Sequence, residues 1–263
     1  MVSVCLATYN GEKYIEEQIK SILSQLDKDD ELIISDDYSY DNTLNIIKEI
    51  DDKRIRLFIN EINKGVIKNF ENAIYHAKGD YIFLSDQDDI WLPNKIRDST
   101  IKIKYLEKEN PNLPVLVFSD AIIVDESLNI LVESLFKYTG QDPKLSVRPE
   151  ILCVTNRILG CTMAFNKKTK EIILPIGDYA VMHDWWIALN VAKNGIIEPI
   201  LTQTILYRQH KNNIIGANFL KKKNKLFRLK SLCLFNIKIY KMCSYFFPMS
   251  YIKYLFLKLR LHF

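Results

Sequence analysis

The sequence predicts an α/β layered domain on a largely parallel sheet, and three observations carry that expectation. The first hundred residues alternate short apolar runs with helix-periodic segments. Acidic residues follow directly on the second and fourth apolar runs, where open α/β sheets place their ligand contacts. With 263 residues, 48% hydrophobic and 26% charged, the chain can bury one large core, alone or with a small appendage, and differs in composition from a disordered chain.

Taken in order, Val2–Ala7 reads as a buried strand, followed by a helix from Glu12 to Gln25. Glu31–Ser35 is a second strand ending in Asp36–Asp37, and Asp41 suits the cap of a helix through Ile50. Arg54–Ile59 is a third strand and Val66–His76 a third helix, closed by Gly79. Tyr81–Ser85 is a fourth strand that delivers Asp86–Gln87–Asp88–Asp89 at its carboxyl end. A helix over Asn94–Lys108 leads through a turn-rich connector to strands at Val115–Ser119 and Ala121–Val124, then a turn at Glu126–Asn129. Leu135–Pro149 gives no clear period. Gly160–Asn166 reads as a strand, His183–Asp184 opens a helix over Trp185–Lys193 that ends at Gly195, and Thr202–Tyr207 is a late strand.

Charge divides the chain unevenly. Of its 36 Lys/Arg, 11 fall in Phe219–Phe263, which has no Asp or Glu, so the first 218 residues hold 25 basic against 32 acidic residues. The tail lacks an apolar run of the roughly 20 residues that a spanning helix needs. Leu226, Leu229, Cys233, Ile237 and Tyr240 recur at helical spacing beside lysines, which leaves two readings open: a basic amphipathic helix on an anionic membrane surface, or a terminal helical pair packed on the body. No nucleic-acid-binding module surrounds the basic residues. The five cysteines are scattered without a Cys-x-x-Cys pair, and Val2–Ala7 runs straight into a strand with no basic-then-apolar leader; both suggest a catalytic part in the cytoplasm.

Three acidic stations fit a single cleft: Asp36–Asp37, Asp86–Gln87–Asp88 and Asp184. An isolated Asp-x-Asp is usually a solvated turn, but several carboxylates at the tip of a central apolar strand repel one another unless a cation lies between them. Oxygen ligands select a hard ion, Mg²⁺ or Mn²⁺. The absence of a Gly-x-x-x-x-Gly-Lys-Ser/Thr loop speaks against a P-loop nucleoside triphosphatase. Asp184 at a helix entrance fits two roles equally, a base kept ionised by the helix dipole or an N-cap. Trp91, Trp185 and Trp186 are either sugar-stacking surfaces or core fillers, and one of them is expected to touch a ligand.

Six segments carry a family resemblance: Ala7-Thr-Tyr-Asn-Gly11, Ser35-Asp-Asp-Tyr-Ser-Tyr-Asp-Asn-Thr43, Asn63-Lys-Gly-Val-Ile-Lys-Asn-Phe70, Ser85-Asp-Gln-Asp-Asp-Ile-Trp91, His183-Asp-Trp-Trp186 and Tyr207-Arg-Gln-His-Lys-Asn-Asn213. Together they resemble the inverting family 2 glycosyltransferases, most of all the bacterial rhamnosyltransferase branch that builds cell-wall or capsular polysaccharides. The resemblance implies a GT-A domain over residues 1–217, with residues 218–263 as a basic helical extension. It implies a nucleotide diphosphate sugar donor, dTDP- or UDP-linked, and a glycan acceptor, lipid-linked or growing. Thr8, Tyr9 and Asn10 are then expected at the base and ribose, with Asp36 or Asp37 on the pyrimidine. Asn63, Lys64, Lys68, Asn69 and Arg208 are expected near the donor ribose and phosphates, Asp86 and Asp88 at the ribose and metal, His210 as a further metal contact, and Asp184 as catalytic base. Sugar or acceptor contacts fall to Trp91, Trp185 or Trp186.

Tyr38 departs from the pattern, because the family has glycine there; if the position needs a positive φ, tyrosine is strained. Two rival functions use the same residues. A glycoside hydrolase would place two carboxylates about the bond and need neither nucleotide nor metal. A non-catalytic sugar-nucleotide-binding scaffold would use the tail to dock on membrane.

Overall fold

The computed structural model describes residues 1–140, 142–211 and 237–262. Four strands open the chain: β1 (Val2–Thr8), β2 (Glu31–Asp36), β3 (Ile55–Ile59) and β4 (Tyr81–Ser85). Between them run α1 (Ile15–Leu23), α2 (Thr43–Glu49) and α3 (Val66–His76). β5 (Ile90–Trp91) and α4 (Lys95–Glu109) lead to the long β6 (Val115–Val124) and the short β7 (Ile130–Val132). Small helices α5 (Leu135–Thr139), α6 (Pro143–Ser146) and α7 (Pro149–Leu152) precede a 3₁₀ turn at Gly160–Thr162. Then come β8 (Met163–Asn166), α8 (Lys167–Ile173), α9 (His183–Asn194) and β9 (Ile196–Arg208). Residues 237–246 form α10, and Tyr251–His262 form α11.

The described strands make one sheet in the order β3-β2-β1-β4-β8-β6-β9-β5, with β7 beside β6. β3, β2, β1 and β4 are mutually parallel, and so are β6 and β9. β8 bridges the two sets by pairing antiparallel with both β4 and β6. The parallel set puts the carboxyl ends of β2, β1 and β4 side by side, so the loops after them share one edge.

Side-chain alternation along the strands sorts the core into two layers. Val4, Leu6, Leu32, Ile34 and Phe83 face Ile15, Ile19 and Ile22 of α1 and Ile103 and Leu106 of α4. Cys5, Ile33, Ile82 and Leu84 face Phe70, Ala73 and Ile74 of α3 and the apolar side of α9. Each fully buried aliphatic or aromatic side chain contributes roughly 1.5–3 kcal/mol.

Two expectations need correction, and one unassigned stretch is now defined. Val115–Ser119 and Ala121–Val124 are one strand, with a shift in pairing with β9 around Ser119–Asp120. There Asp120 is buried and accepts from Ser134 Oγ, Gln203 Nε2 and the Phe136 N–H. The strand expected from Gly160 starts at Met163, after the 3₁₀ turn. The unassigned stretch holds three short helices, two of them with proline in the first turn.

The boundary at 217/218, Leu226, Leu229 and Cys233 lie outside the described residues. The described part of the tail packs on the body: Ile239, Met242, Cys243, Phe246 and Tyr254 are buried in the same layer as Trp185 and Trp186. No helix among the described residues is long and apolar enough to cross a membrane.

Candidate active site

A cavity of about 800 Å³ opens at the carboxyl edge of the parallel strands. Its lining brings together Thr8, Tyr9 and Asn10 after β1, Asp37 after β2, Asn63 and Asn69 around the start of α3, and Asp86 and Asp88 after β4. Asp184 of α9 and His210 after β9 complete the wall, so carboxylates up to 147 residues apart in sequence meet in one space.

Local hydrogen bonds explain why these loops hold their shape. The Tyr9 N–H donates to Gln87 Oε1 at 2.8 Å, and Gln87 Nε2 returns a bond to the Tyr9 carbonyl at 3.0 Å, locking the β1 loop to the β4 loop. A Cβ on Gly11 would sit 2.3 Å from Gln87 Oε1, so any other residue there would displace the Gln87 amide from its pair of bonds to Tyr9. Asp36 is buried and accepts from Thr8 Oγ1, the Ser39 N–H and Ser39 Oγ. It organises the loop, whereas Asp37 is the member of the pair that lines the cavity. Asp37 Oδ1 accepts from Asn60 Nδ2 and the Lys64 N–H, and Oδ2 from the Gly65 N–H, which shapes the entry to α3. Tyr38 has φ 67° and Asn10 has φ 49°, so the expected strain at Tyr38 is present.

Electrostatics at the β4 tip are those of crowded acids. Burial first, then the charges of Asp88 and Asp184, push Asp86 up to about 7. Asp88 Oδ2 lies 2.8 Å from His210 Nε2, and the His210 ring stacks on Tyr14 with centroids 5.0 Å apart. Among the described residues, ligand atoms of Asp86, Asp89 and Cys161 lie within 4.8 Å of one another. Asp89 is fully buried; its Oδ1 accepts the Arg208 N–H, and burial raises its carboxyl well above the usual range. Behind them the buried Lys95 donates to the Cys161 carbonyl at 2.8 Å, and burial pushes its ammonium down to about 8. A converging carboxylate set with an imidazole beside it, in which burial and then neighbouring charge raise Asp86, fits a divalent cation.

Asp184 lies in the first turn of α9, but the cap position is Met182, so the N-cap reading of Asp184 is corrected. Burial pushes Asp184 up to about 6, against the lowering effect of bonds from the Trp185 and Gly160 backbone and the Asn156 side chain. The helix dipole was expected to keep this carboxylate ionised, yet desolvation is the larger effect. His183 is stacked on Phe70 with centroids 3.8 Å apart, and burial pushes it down to about 3, so it is neutral.

Six other expected contacts fall elsewhere. Arg208 is buried: it donates to the Asp88 and Glu126 carbonyls and to Glu17, so its guanidinium braces the β4 loop from behind. Lys68 pairs with Glu71 and the Ile176 carbonyl on the far side of α3, and its lining, like that of Lys64, belongs to a second cavity of about 480 Å³. Trp91 packs against Phe83 under the sheet. Trp185 and Trp186 donate their indole N–H groups to the Leu152 and Ile173 carbonyls and fill the α9 layer. The aromatic side chains at the cavity are instead Tyr9, Tyr14, Tyr40, Phe70 and Tyr207. Cys161, Leu159 and Met182 also line it, and nothing in their local pattern marks them.

Comparison with known proteins agrees with this geometry. The family described as "Glycosyl transferase family 2" matches residues 3–117. The "dTDP-rhamnosyl transferase RfbG" of Shigella flexneri is 35% identical over 230 residues, covering 81% of this chain and 74% of that protein. The "UDP-Glc:alpha-D-GlcNAc-diphosphoundecaprenol beta-1,3-glucosyltransferase WfaP" of Escherichia coli is 32% identical over 228 residues, covering 83% and 81%. Among solved structures, S. aureus TarS 1-349 in complex with UDP-GlcNAc superposes with a TM-score of 0.62 at 17% identity, over 99% of this chain and 71% of that one. At that identity the likeness is one of fold.

Proposed function

Since the chain belongs to glycosyl transferase family 2, we propose that it moves a hexose from a nucleotide diphosphate onto a hydroxyl of a lipid-linked or growing surface glycan, with inversion. The observation that carries this reading is the meeting of Asp37, Asp86, Asp88, Asp184 and His210 in one cavity. The names of the Shigella and Escherichia relatives support rhamnose from a dTDP donor and a lipid diphosphate acceptor in that order.

In this mechanism Asp37 and the Thr8–Asn10 loop hold the nucleoside, Asn63 faces its ribose and phosphates, and the buried Asn69, which donates to the Thr8 carbonyl and accepts from Asn60, supports that loop. Asp88 and His210, with Asp86 beside them, would hold Mg²⁺ or Mn²⁺, which supplies positive charge to the departing diphosphate. Asp184 accepts the proton of the acceptor hydroxyl as that oxygen attacks the anomeric carbon. The carbon–diphosphate bond breaks in the same displacement, so no covalent sugar–enzyme intermediate forms. The basic tail holds the protein peripherally on an anionic membrane surface, where a lipid-linked acceptor resides.

The test is a panel of dTDP- and UDP-sugars with Mg²⁺ or Mn²⁺, scored by released nucleoside diphosphate. One donor is expected to turn over, with activity lost on chelation and in Asp88→Ala. Full metal-independent activity in both Asp88→Ala and Asp184→Asn would overturn the proposal.

A further inference from the structure

We propose that α11 presents a preformed lipid-docking face, Ile252, Phe256 and Leu259, that seats the protein on an anionic phospholipid bilayer. This rests on the membrane reading of the tail and gives it a definite surface.

The side of the tail that faces the body is already committed. Met242, Cys243, Phe246 and Tyr254 are buried, Cys243 Sγ donates to the Cys153 carbonyl at 2.8 Å, and the Val181 N–H donates to Met242 Sδ at 3.4 Å. Tyr245 of α10 stacks on Trp186 with centroids 5.6 Å apart. The opposite side of α11 carries apolar side chains left exposed among the described residues: Ile252 is 68% exposed, Phe256 69% and Leu259 55%. Their spacing of four and three residues puts them on one stripe. Three large apolar side chains so exposed on one helical stripe mark an interaction surface rather than ordinary scatter.

Charge decides the occupant. Residues 237–262 carry Lys238, Lys241, Lys253, Lys258 and Arg260 and no Asp or Glu. A second copy seated on the same face would bring like charges together, whereas anionic headgroups complement them. α11 has 12 residues, about 18 Å at 1.5 Å per residue, which suits a helix lying in the interface.

The docking face is tied to the chemistry through one element. α9 carries Asp184 in its first turn and Trp186 two residues on, and Trp186 is the side chain on which α10 rests. A bilayer bound at α11 therefore holds the cavity in a fixed orientation to the membrane plane, as a lipid-linked acceptor requires.

The test is co-sedimentation of the full chain with vesicles of phosphatidylcholine alone or with added phosphatidylglycerol. Binding is expected only to the anionic vesicles. In Ile252→Asn/Phe256→Asn/Leu259→Asn the affinity should fall ~100-fold or more, with the unfolding temperature kept because these side chains are exposed. In Lys253→Gln/Arg260→Gln it should fall ~5-fold per charge and become insensitive to salt to that extent. Wild-type affinity in the triple variant overturns the docking face while sparing the membrane reading. No binding of the wild type to anionic vesicles overturns both, and nucleotide release still reports independently on the transferase reading. A concentration-dependent dimer abolished by the triple variant would assign the face to a second copy and reject the bilayer.

Discussion

The cavity wall and the α9–α10 layer lie back to back, and they treat their conspicuous side chains in opposite ways. At the wall, desolvation outweighs the carboxylates' hydrogen bonds: burial raises Asp86 to about 7 and Asp184 to about 6. In the layer behind, Trp185 and Trp186 have both their apolar surface and their single polar atom satisfied. His183–Asp184–Trp185–Trp186 spans the two regions within four residues. The wall carries unmet electrostatic cost and the layer carries packing energy. Substitutions should therefore separate activity from stability along that one segment.

Asp184→Asn should show the largest effect. Removing a general base costs ~10²–10⁴-fold in kcat. Asparagine removes the buried charge but can keep only part of the bonds that Asp184 accepts from Trp185, Gly160 and Asn156, so the two effects oppose and the unfolding temperature at pH 8 should stay near that of the wild type. Normal turnover in Asp184→Asn, measured by nucleoside diphosphate release, would break the contrast at its functional end. Trp186→Ala tests the other side. It removes a buried indole stacked on Tyr245 and Phe246, and should cost ~3–5 kcal/mol in denaturant unfolding. Any folded fraction should keep its KM for the donor, since Trp186 does not line the cavity. A raised KM without lost stability would return Trp186 to the sugar.

The same comparison shows what could be read from the sequence. The motif carboxylates were legible because strand-end acids in an α/β sheet have few places to go, and all three stations reach the cavity. Strand and helix periods gave Val66–His76 and Tyr81–Ser85 to the residue. Aromatic residues were not legible, since an indole serves a core or a sugar face equally well and only its neighbours decide. Arg208 was hidden for a similar reason: whether its guanidinium meets a phosphate or the Glu17, Asp88 and Glu126 acceptors depends on contacts up to 191 residues away. Cys161 and Met182 carried no local signal, because no motif or period marks either of them and only the folded chain brings them to the cavity.

A pH series sharpens the electrostatic half. The folded pKa values of Asp86 and Asp184 lie above the ordinary carboxylate value, so the folded state binds more protons than the unfolded state between about pH 4 and pH 7. Their contribution to stability is present at low pH and is lost as pH rises through that window, on the order of 2–3 kcal/mol for Asp184. Metal-free protein should accordingly lose stability from pH 5 to pH 8 in this part of its balance, and Mn²⁺ should restore it at pH 8 by replacing protons with a cation. Catalysis runs the other way: kcat/KM should fall as pH drops below about 6, where Asp184 takes up a proton. Excess Mn²⁺ should move that acid limb lower. An acid limb indifferent to metal would separate Asp184 from the carboxylate cluster.

Tyr38→Gly should give the smallest effect, and its sign is the informative part. Tyr38 sits at the cavity loop with φ 67° and is 56% exposed, so the wild type holds a side chain in a backbone region that costs an L-residue roughly 1–2 kcal/mol. Glycine relieves that strain but adds backbone freedom to the unfolded chain, worth up to about 1 kcal/mol in the other direction. Little packing is lost, because the ring is more than half in solvent. The balance is a net gain of roughly 0–2 kcal/mol, a rise of at most several degrees in unfolding temperature for a chain of this size. If the fold tolerates this strain for the sake of the donor, the stabilised variant should pay in a raised KM for the nucleotide sugar with kcat unchanged. A variant that is more stable and binds donor as before would mark Tyr38 as a residue with no part in the site. A variant that is less stable would mean that the ring contributes packing in the loop, joining this stretch of wall to the satisfied side of the comparison.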